Sequence, residues 1–293
     1  MERGRLDVEM NADVAFIGGS GFCNPDILED PTTVAVKTPF GPPSSDIVLG
    51  QIDGTACAFL ARHGAGHRFS PSRVNYRANI YALKTLGAVN VVAISAVGSL
   101  KEDIKPLSIV IPDQIFDRTK LRSNTFFDDI CVHIGIADPF CGGLSHALWQ
   151  AAQQVGSSIK KGGTYVCIEG PQFSTRAESN AYRHMGFDII GMTAMPEAKL
   201  AREAEMCFSM LGTVTDYDVW REDAVTIETV INNVKKNSES TQKIIQEVVA
   251  HFPPKDAACA CRHALKDAFV TNLEIVSDET LEKLRPLLGK YLR

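Results

Sequence analysis

The chain has 293 residues, 45% of them hydrophobic and 22% charged, with a net charge of −5. This is a globular balance, long enough for one large domain or two small ones. An acidic chain without clustered basic residues argues against a nucleic-acid surface, and no apolar run approaches the ~20 residues of a membrane span.

In chain order, "DVAFIGG" (13–19) reads as a buried strand ending in glycines. "DIVLGQI" (46–52) and "TACAFLA" (55–61) are joined by Asp53-Gly54, a hairpin signal. "SRVNYRANIYALKTLG" (72–87) predicts a helix with Ser72 as N-cap and Gly87 at its far end. "NVVAISAVGS" (90–99) and "SIVIPDQ" (108–114) predict two more strands. "GTYVCIEG" (163–170), "FDIIGMT" (187–193) and "SMLGTVTD" (209–216) predict three others. Thr175 and Glu178 fit a capping box opening a helix, and Pro196 suits a first helical turn. Residues 223–250 are helical in pattern, and the tail from Ser277 predicts one more short helix. Strand-helix alternation implies an α/β fold, and the embedded hairpin makes its sheet mixed. There is no internal repeat.

The eight cysteines lack framework spacing. Cys259 and Cys261 are the only close pair, and C-x-C alone is a weak metal signal. Cys57, Cys167 and Cys207 lie in apolar runs and read as buried, reduced thiols of a cytosolic protein. "MERGRLDVEM" is too charged for a signal peptide.

Function in such sheets gathers at the carboxyl ends of strands. Gly18, Gly19 and Gly21 around Ser20 let backbone N–H groups approach an anion, although the pattern is neither G-x-G-x-x-G nor a Walker loop. Arg62 and His63 follow a strand, and arginine is the best bidentate anion ligand. His63 and His67 have i,i+4 spacing, but the intervening glycines and the missing Glu of H-E-x-x-H exclude a zinc helix. Ser95 and Ser99 bracket Gly98, and Thr193 closes another strand. Each signal is weak by itself; together they form a donor set fit for free phosphate. No G-x-S-x-G elbow is present.

Asp216 and Asp218 end an apolar run two residues apart. A buried carboxyl beside a second carboxylate has its pKa raised and keeps a proton, which suits protonation of a departing purine at N7. The other reading of these aspartates is a capped loop, and "TDYD" alone favours it.

In order, "GGSGF", "TPFGPPS", "ARHGAGHRFSPSRVNYRANI", "AVGSL", "EGPQFSTRAES", "MTAMPEAKLAREA" and "TDYDVW" resemble the 5′-methylthioadenosine phosphorylases of the purine nucleoside phosphorylase superfamily. The resemblance runs from about Asp13 to about Ala250. It implies one α/β domain over 1–293, its central mixed, partly barrel-like sheet flanked by helices. Residues 1–12 would be flexible. Residues 251–293 would be a divergent helical tail, of the kind that supplies part of the 5′-pocket lid. The implied reaction is methylthioadenosine plus phosphate to adenine plus 5-methylthioribose-1-phosphate, in purine and methionine salvage. Ser20, Arg62, His63, Ser95, Ala96 (through its backbone) and Thr193 would hold phosphate. Met192 would lie against the ribose, Phe173 and Ser174 would face the base, and Asp216, Tyr217 and Asp218 would lie beyond it, Asp216 as the general acid. The family also implies a homotrimer in which His133 reaches the neighbour's 5′ pocket. Phe116, Phe126, Phe127 and Phe140 would then be exposed on a lone monomer and covered by a partner. No metal or organic cofactor is expected, and no nucleic-acid or membrane partner. The expected location is the cytoplasm, with the nucleus as a second site. Departures from the family pattern include Ser20 where many relatives have Thr, Val97 in place of a common Cys, and Gly191 where some have Asn. Two rival functions stay open: a 6-oxopurine nucleoside phosphorylase of the same fold, and a non-catalytic nucleoside-binding protein.

Overall fold

In the computed structural model, which describes residues 11–19, 25–221, 227–252 and 258–292, the apolar runs lie side by side in one sheet. Its strands are β1 (Val14–Gly18), β2 (Glu29–Val34), β3 (Ile47–Ile52), β4 (Thr55–Ala61), β5 (Asn90–Ser99), β6 (Ile109–Ile111), β7 (Gln114–Asp117), β8 (Ile159–Lys161), β9 (Thr164–Cys167), β10 (Ile189–Gly191) and β11 (Cys207–Asp216). Helices α1 (Tyr76–Thr85), α2 (Gly142–Gln154), α3 (Arg176–His184), α4 (Ala194–Glu203), α5 (Ile227–Val249) and α6 (Asp278–Leu288) surround it.

β4, β1, β5 and β11 run parallel and are buried on both faces, hence their near-continuous hydrophobicity. The two-residue period of a strand divides their side chains between two cores. Ala15, Ile17, Val91, Ala93, Phe208 and Met210 join the helices α1, α4 and α6 in one. Val14, Phe16, Val92, Ile94, Cys207 and Leu211 join α2 and α5 in the other.

The barrel-like character comes from β5. Its first half, Asn90–Ile94, pairs with β1; at Gly98 and Ser99 the same edge pairs instead with antiparallel β10. From there the sheet continues through β9 to β7, while the opposite edge of β5 continues through β11 to β6. Only Pro112 and Asp113 separate β6 from β7, so the chain itself bridges the ring. The predicted single strand 108–114 is therefore two strands; proline has no N–H for a ladder and marks the break.

Asp53 and Gly54 both have positive φ, as a two-residue hairpin turn requires. The capping box at Thr175 and Glu178 forms. Ser72 is not the N-cap of α1. Asn75 accepts the N–H of Ala78, while Ser72 donates to Glu169 from a separate 3-10 turn. Strands β2 and β8 and helix α2 extend the expected set. Phe126, Phe127 and Phe140 are buried inside this one chain, against the expectation of partner-covered aromatics. Phe126 packs on Phe40 and Tyr81, and Phe140 on Phe208; of the four only Phe116 is exposed. The tail packs on the domain through Leu265, Leu284, Leu287 and Leu288. Among the described residues no helix is long and apolar enough to cross a membrane.

Candidate active site

Between Ile94 and Gly98 one edge of β5 has no described strand beside it, and a cavity of about 690 Å³ opens there. Gly19, Arg62, His63, Ser95, Ala96, Met192, Thr193, Phe173, Asp216 and Asp218 line it. The strand ends that sequence reading singled out thus converge on one hollow. Ser20 lies outside the described residues. Ser99 turns away, its hydroxyl bonded to Lys101. Ser174 and Tyr217 are not in the wall: the Ser174 hydroxyl is buried without a partner, and Tyr217 packs edge-on against Trp220. His133 is exposed, away from this chain's cavity, with its N–H bonded to Ala268 O in the tail. No described residue of the tail lines the cavity.

Arg62 is fully buried at the cavity floor. Its Nε and Nη2 donate to the two oxygens of Glu197 at 2.5 and 3.0 Å. Nη1 reaches Ile94 O at 2.9 Å and Nη2 reaches Ile17 O at 3.1 Å. One guanidinium thereby ties together β1, β4, β5 and the first turn of α4, and its fork geometry is what allows this. Glu197 lies in "MTAMPEAKLAREA", where no local pattern marks it as the partner of Arg62. Beside it, the Ser95 and Thr193 hydroxyls lie 2.9 Å apart. Thr193 sits at the N-terminus of α4 without capping that helix, and its N–H donates to the Tyr165 hydroxyl at 3.2 Å. A Cβ on Gly191 would stand 2.2 Å from that hydroxyl, so Tyr165 requires glycine there. His63 donates from Nδ1 to Phe69 O at 2.8 Å, since a carbonyl only accepts. Burial, then the neighbouring Arg62 charge, lowers its pKa to about 4.

A second arginine escaped the sequence reading. Arg122 donates to Met192 O and Met195 O, each at 2.6 Å, to Glu169 O at 2.6 Å, and to the Glu169 carboxylate at 3.0 Å. It fixes the backbone that presents Met192 and Thr193. Burial works against the Glu169 charge, but donors from Ser72, Lys120, Leu121 and Arg122 outweigh it and hold the carboxyl at about 2. A lone arginine in a loop gives no signal by spacing.

At the other end Asp216 accepts from the Thr215 hydroxyl at 2.6 Å and from Asp218 N–H at 2.8 Å. Asp218 takes φ +53°, which closes the turn; Asp tolerates this region better than most residues. Its Oδ2 is buried with no partner. Burial raises the pKa of both carboxyls. The Thr215 and Asp218 donors oppose this at Asp216, while the Asp216 charge adds to it at Asp218. Gly98 makes room: a Cβ there would stand 3.0 Å from Asp216 Oδ1. Val230, Ile231, Val234 and Lys235 of α5 overhang the cavity, and Asn233 and Asn237 pin α5 to Thr215 O and Val214 O.

A half-buried and a buried carboxyl share one apolar hollow with a hydroxyl and guanidinium cluster, an arrangement suited to a phosphorylase that cleaves nucleosides. The phosphorylase superfamily model matches residues 13–250. An S-methyl-5′-thioadenosine phosphorylase from Koribacter versatilis is 50% identical, over 96% of this chain and 97% of its own. That match takes in most of the tail after residue 250. A methylthioadenosine phosphorylase sourced from an antarctic soil metagenomic library is 50% identical with a TM-score of 0.89, covering 95% of this chain and 99% of that one. The Schistosoma mansoni methylthioadenosine phosphorylase in complex with adenine is 38% identical with a TM-score of 0.79, covering 82% and 92%. The chain belongs to the phosphorylase superfamily and, within it, to the S-methyl-5′-thioadenosine phosphorylases.

Proposed function

We propose that this chain cleaves 5′-methylthioadenosine with inorganic phosphate, giving adenine and 5-methylthioribose-1-phosphate, in the salvage of purines and methionine. The observation that carries the reading is the two-ended cavity. Phosphate occupies the end formed by Arg62, His63, Ser95, Ala96 and Thr193, with Ser20 completing it. The base faces Asp216 and Asp218, with Phe173 on its side of the site and Met192 toward the ribose. No cofactor enters this reaction.

A phosphate oxygen bonds to C1′ as the C1′–N9 bond breaks, and the electron pair of that bond passes into the purine. Positive charge develops at C1′, and the anion held beneath it stabilises that charge while attacking. Holding both reactants in one cavity replaces a bimolecular encounter with an intramolecular one. The departing purine needs a proton or hydrogen bond at N7. The aspartate pair supplies it by sharing roughly one proton, so that it titrates as a unit. The carboxylate left ionised can only accept, which suits the 6-amino group of adenine and repels a 6-carbonyl. Arg62 neutralises and anchors more than it attracts, because Glu197 already matches its charge; donor hydroxyls and backbone N–H groups complete the anion site.

We further propose a homotrimer in which His133 enters the neighbour's site. His133 is exposed, held by Ala268 O in the tail and away from its own cavity, and Val270 two residues further along the tail is 65% exposed. The free thiols among the described cysteines support a cytoplasmic location.

Chromatography of products from methylthioadenosine, adenosine and inosine, each with and without phosphate, tests the reaction. The expected result is phosphate-dependent release of adenine from methylthioadenosine. Preferential cleavage of inosine would replace this reading with the 6-oxopurine one, and no cleavage at all with the binding-protein one. A sedimenting monomer with full activity would remove the shared site.

A further inference from the structure

Four cysteines that the sequence keeps far apart meet at the base of the tail. Cys141 is the N-cap of α2, Cys207 opens β11, and Cys259 and Cys261 flank the first residue of the 3-10 turn Ala260–His263. Their four Sγ atoms all lie within 4.8 Å of one another. Cys259 Sγ is 3.7 Å from Cys141 Sγ and 3.5 Å from Cys207 Sγ. In a tetrahedral zinc tetrathiolate with Zn–S of about 2.3 Å, neighbouring sulfurs are about 3.8 Å apart. The sulfurs here are gathered at close to that spacing.

We propose that Cys141, Cys207, Cys259 and Cys261 form a structural site for one zinc ion that pins the C-terminal tail to the domain. The donor set is all sulfur, which selects zinc over the oxygen-seeking cations. Four protein ligands leave no open position, and none of these residues lines the catalytic cavity, so the ion is structural. Cys141, Cys207 and Cys261 are buried while Cys259 is half-buried, which leaves a path for entry. Apolar packing accounts for one or two thiols in such a core; it gives no reason for four from three separate segments to converge. Binding converts the thiols to thiolates and releases their protons, with no change of oxidation state. The N-terminus of α2 at Cys141 and the nearby charge of Arg202 at Cys261 offset the negative charge of the centre. C-x-C alone could not announce this site, because its other ligands lie 118 and 52 residues from Cys259.

The consequence reaches the segment that carries His133. Ala268 O accepts the His133 N–H, and Val132 bridges Phe269. A pinned Cys259–Cys261 turn fixes the tail on which that segment rests.

The test begins with protein produced and purified under reducing conditions without chelator. Elemental analysis is expected to give about one zinc per chain, and cobalt(II) added to the metal-free reduced protein is expected to give the visible spectrum of a tetrahedral tetrathiolate. A Cys259→Ser, Cys261→Ser double variant should lose the metal and speed hydrogen exchange over 259–271, whereas Cys57→Ser should keep the full metal content. Should the double variant not fold, the cobalt titration of the wild-type chain decides alone. Metal-free reduced protein with no tetrathiolate spectrum at stoichiometric cobalt overturns the proposal. So does an intact mass showing that two disulfides occupy these cysteines.

Discussion

At the Arg62 end of the cavity the strong groups are already bonded within the chain. Arg62 holds Glu197, Ile94 O and Ile17 O, the Ser95 and Thr193 hydroxyls hold each other, and Tyr165 fixes the Thr193 N–H. At the Asp216 end an Asp218 oxygen is buried with no partner, Phe173 is 53% exposed, and Ile231 of the overhanging helix is 48% exposed. One end is preorganised, so an anion finds its donors in place and little reorganisation is needed during reaction. The other has a buried polar atom that asks for a partner, a role the proposed reaction gives to the incoming base. The difference separates what the fold must build for itself from what the substrate completes.

The largest expected effect lies at Arg62. Arg62→Ala leaves Glu197 charged, buried and unpaired, and the expected loss of stability is about 3–5 kcal/mol by urea unfolding. The phosphate KM should rise far more than the nucleoside KM. Replacing the pair together, Arg62→Met with Glu197→Leu, should recover most of the stability, since a well-packed apolar pair is often neutral, yet leave phosphate use impaired. Recovery of both would make the pair purely architectural.

Asp216→Asn attacks the other end with the fold intact. An amide donates a hydrogen bond to N7 but delivers no proton, so kcat should fall roughly 10²-fold, within the range of general acid catalysis. The alkaline limb of the pH–rate profile should go with it, because that limb reports loss of the shared proton. Asp218→Asn should instead narrow the preference for methylthioadenosine over inosine in kcat/KM, as its amide can donate to a 6-carbonyl. An unchanged kcat in Asp216→Asn would leave the pair with only the turn-capping role that its bonds to Thr215 and Asp218 N–H already provide.

Thr193→Val keeps the side-chain shape and removes one donor. Leaving a buried phosphate oxygen and the Ser95 hydroxyl short of a partner should cost about 1–3 kcal/mol in kcat/KM for phosphate. Equal effects on phosphate and nucleoside would place Thr193 between the two ends rather than at one.

How much of this was written in the sequence follows the same divide between local pattern and distant contact. β1, β4, β5 and β11 were legible because burial on both faces makes them continuous apolar runs. β2, an exposed edge strand with Pro31 inside it, carries no such signal. Helix α2 opens on Gly142-Gly143 behind Cys141, without a side-chain cap, so nothing announces its start. Ser72 resembled a cap because the residue that does the work, Asn75, stands three places further on. The strand-end residues of the cavity could be gathered by reasoning about where α/β sheets place function. Glu197 and Arg122, which hold those residues in position, could not, because their roles depend on partners 135 and 70 residues away. The burial of Phe126 and Phe140 is hidden from the sequence for the same reason: their covers, Phe40, Tyr81 and Phe208, are distant in sequence.

The smallest expected effect concerns His63, and it tests whether the anion end is as closed as its bonds imply. With Nδ1–H committed to Phe69 O, the ring presents a lone pair at Nε2 and adds no positive charge near neutral pH. Its pKa falls from 6.5 to about 4 in the folded chain, through burial first and the Arg62 charge second. Between those values the unfolded chain binds the proton and the folded chain does not. Stability therefore rises with pH across this window, and is lost as pH falls from 6.5 through 4. For a single proton the slope is at most about 1.4 kcal/mol per pH unit, so roughly 1 kcal/mol should separate pH 6.5 from pH 5.5. Unfolding midpoints of the wild-type chain and His63→Gln, compared over that range, isolate the term: the variant should lose this part of the slope, other carboxylates and histidines being common to both. Parallel curves would mean that His63 protonates in place. The Arg62 end would then be open enough to water to accept a second positive charge, and the contrast between a closed anion end and an unfinished base end would not hold.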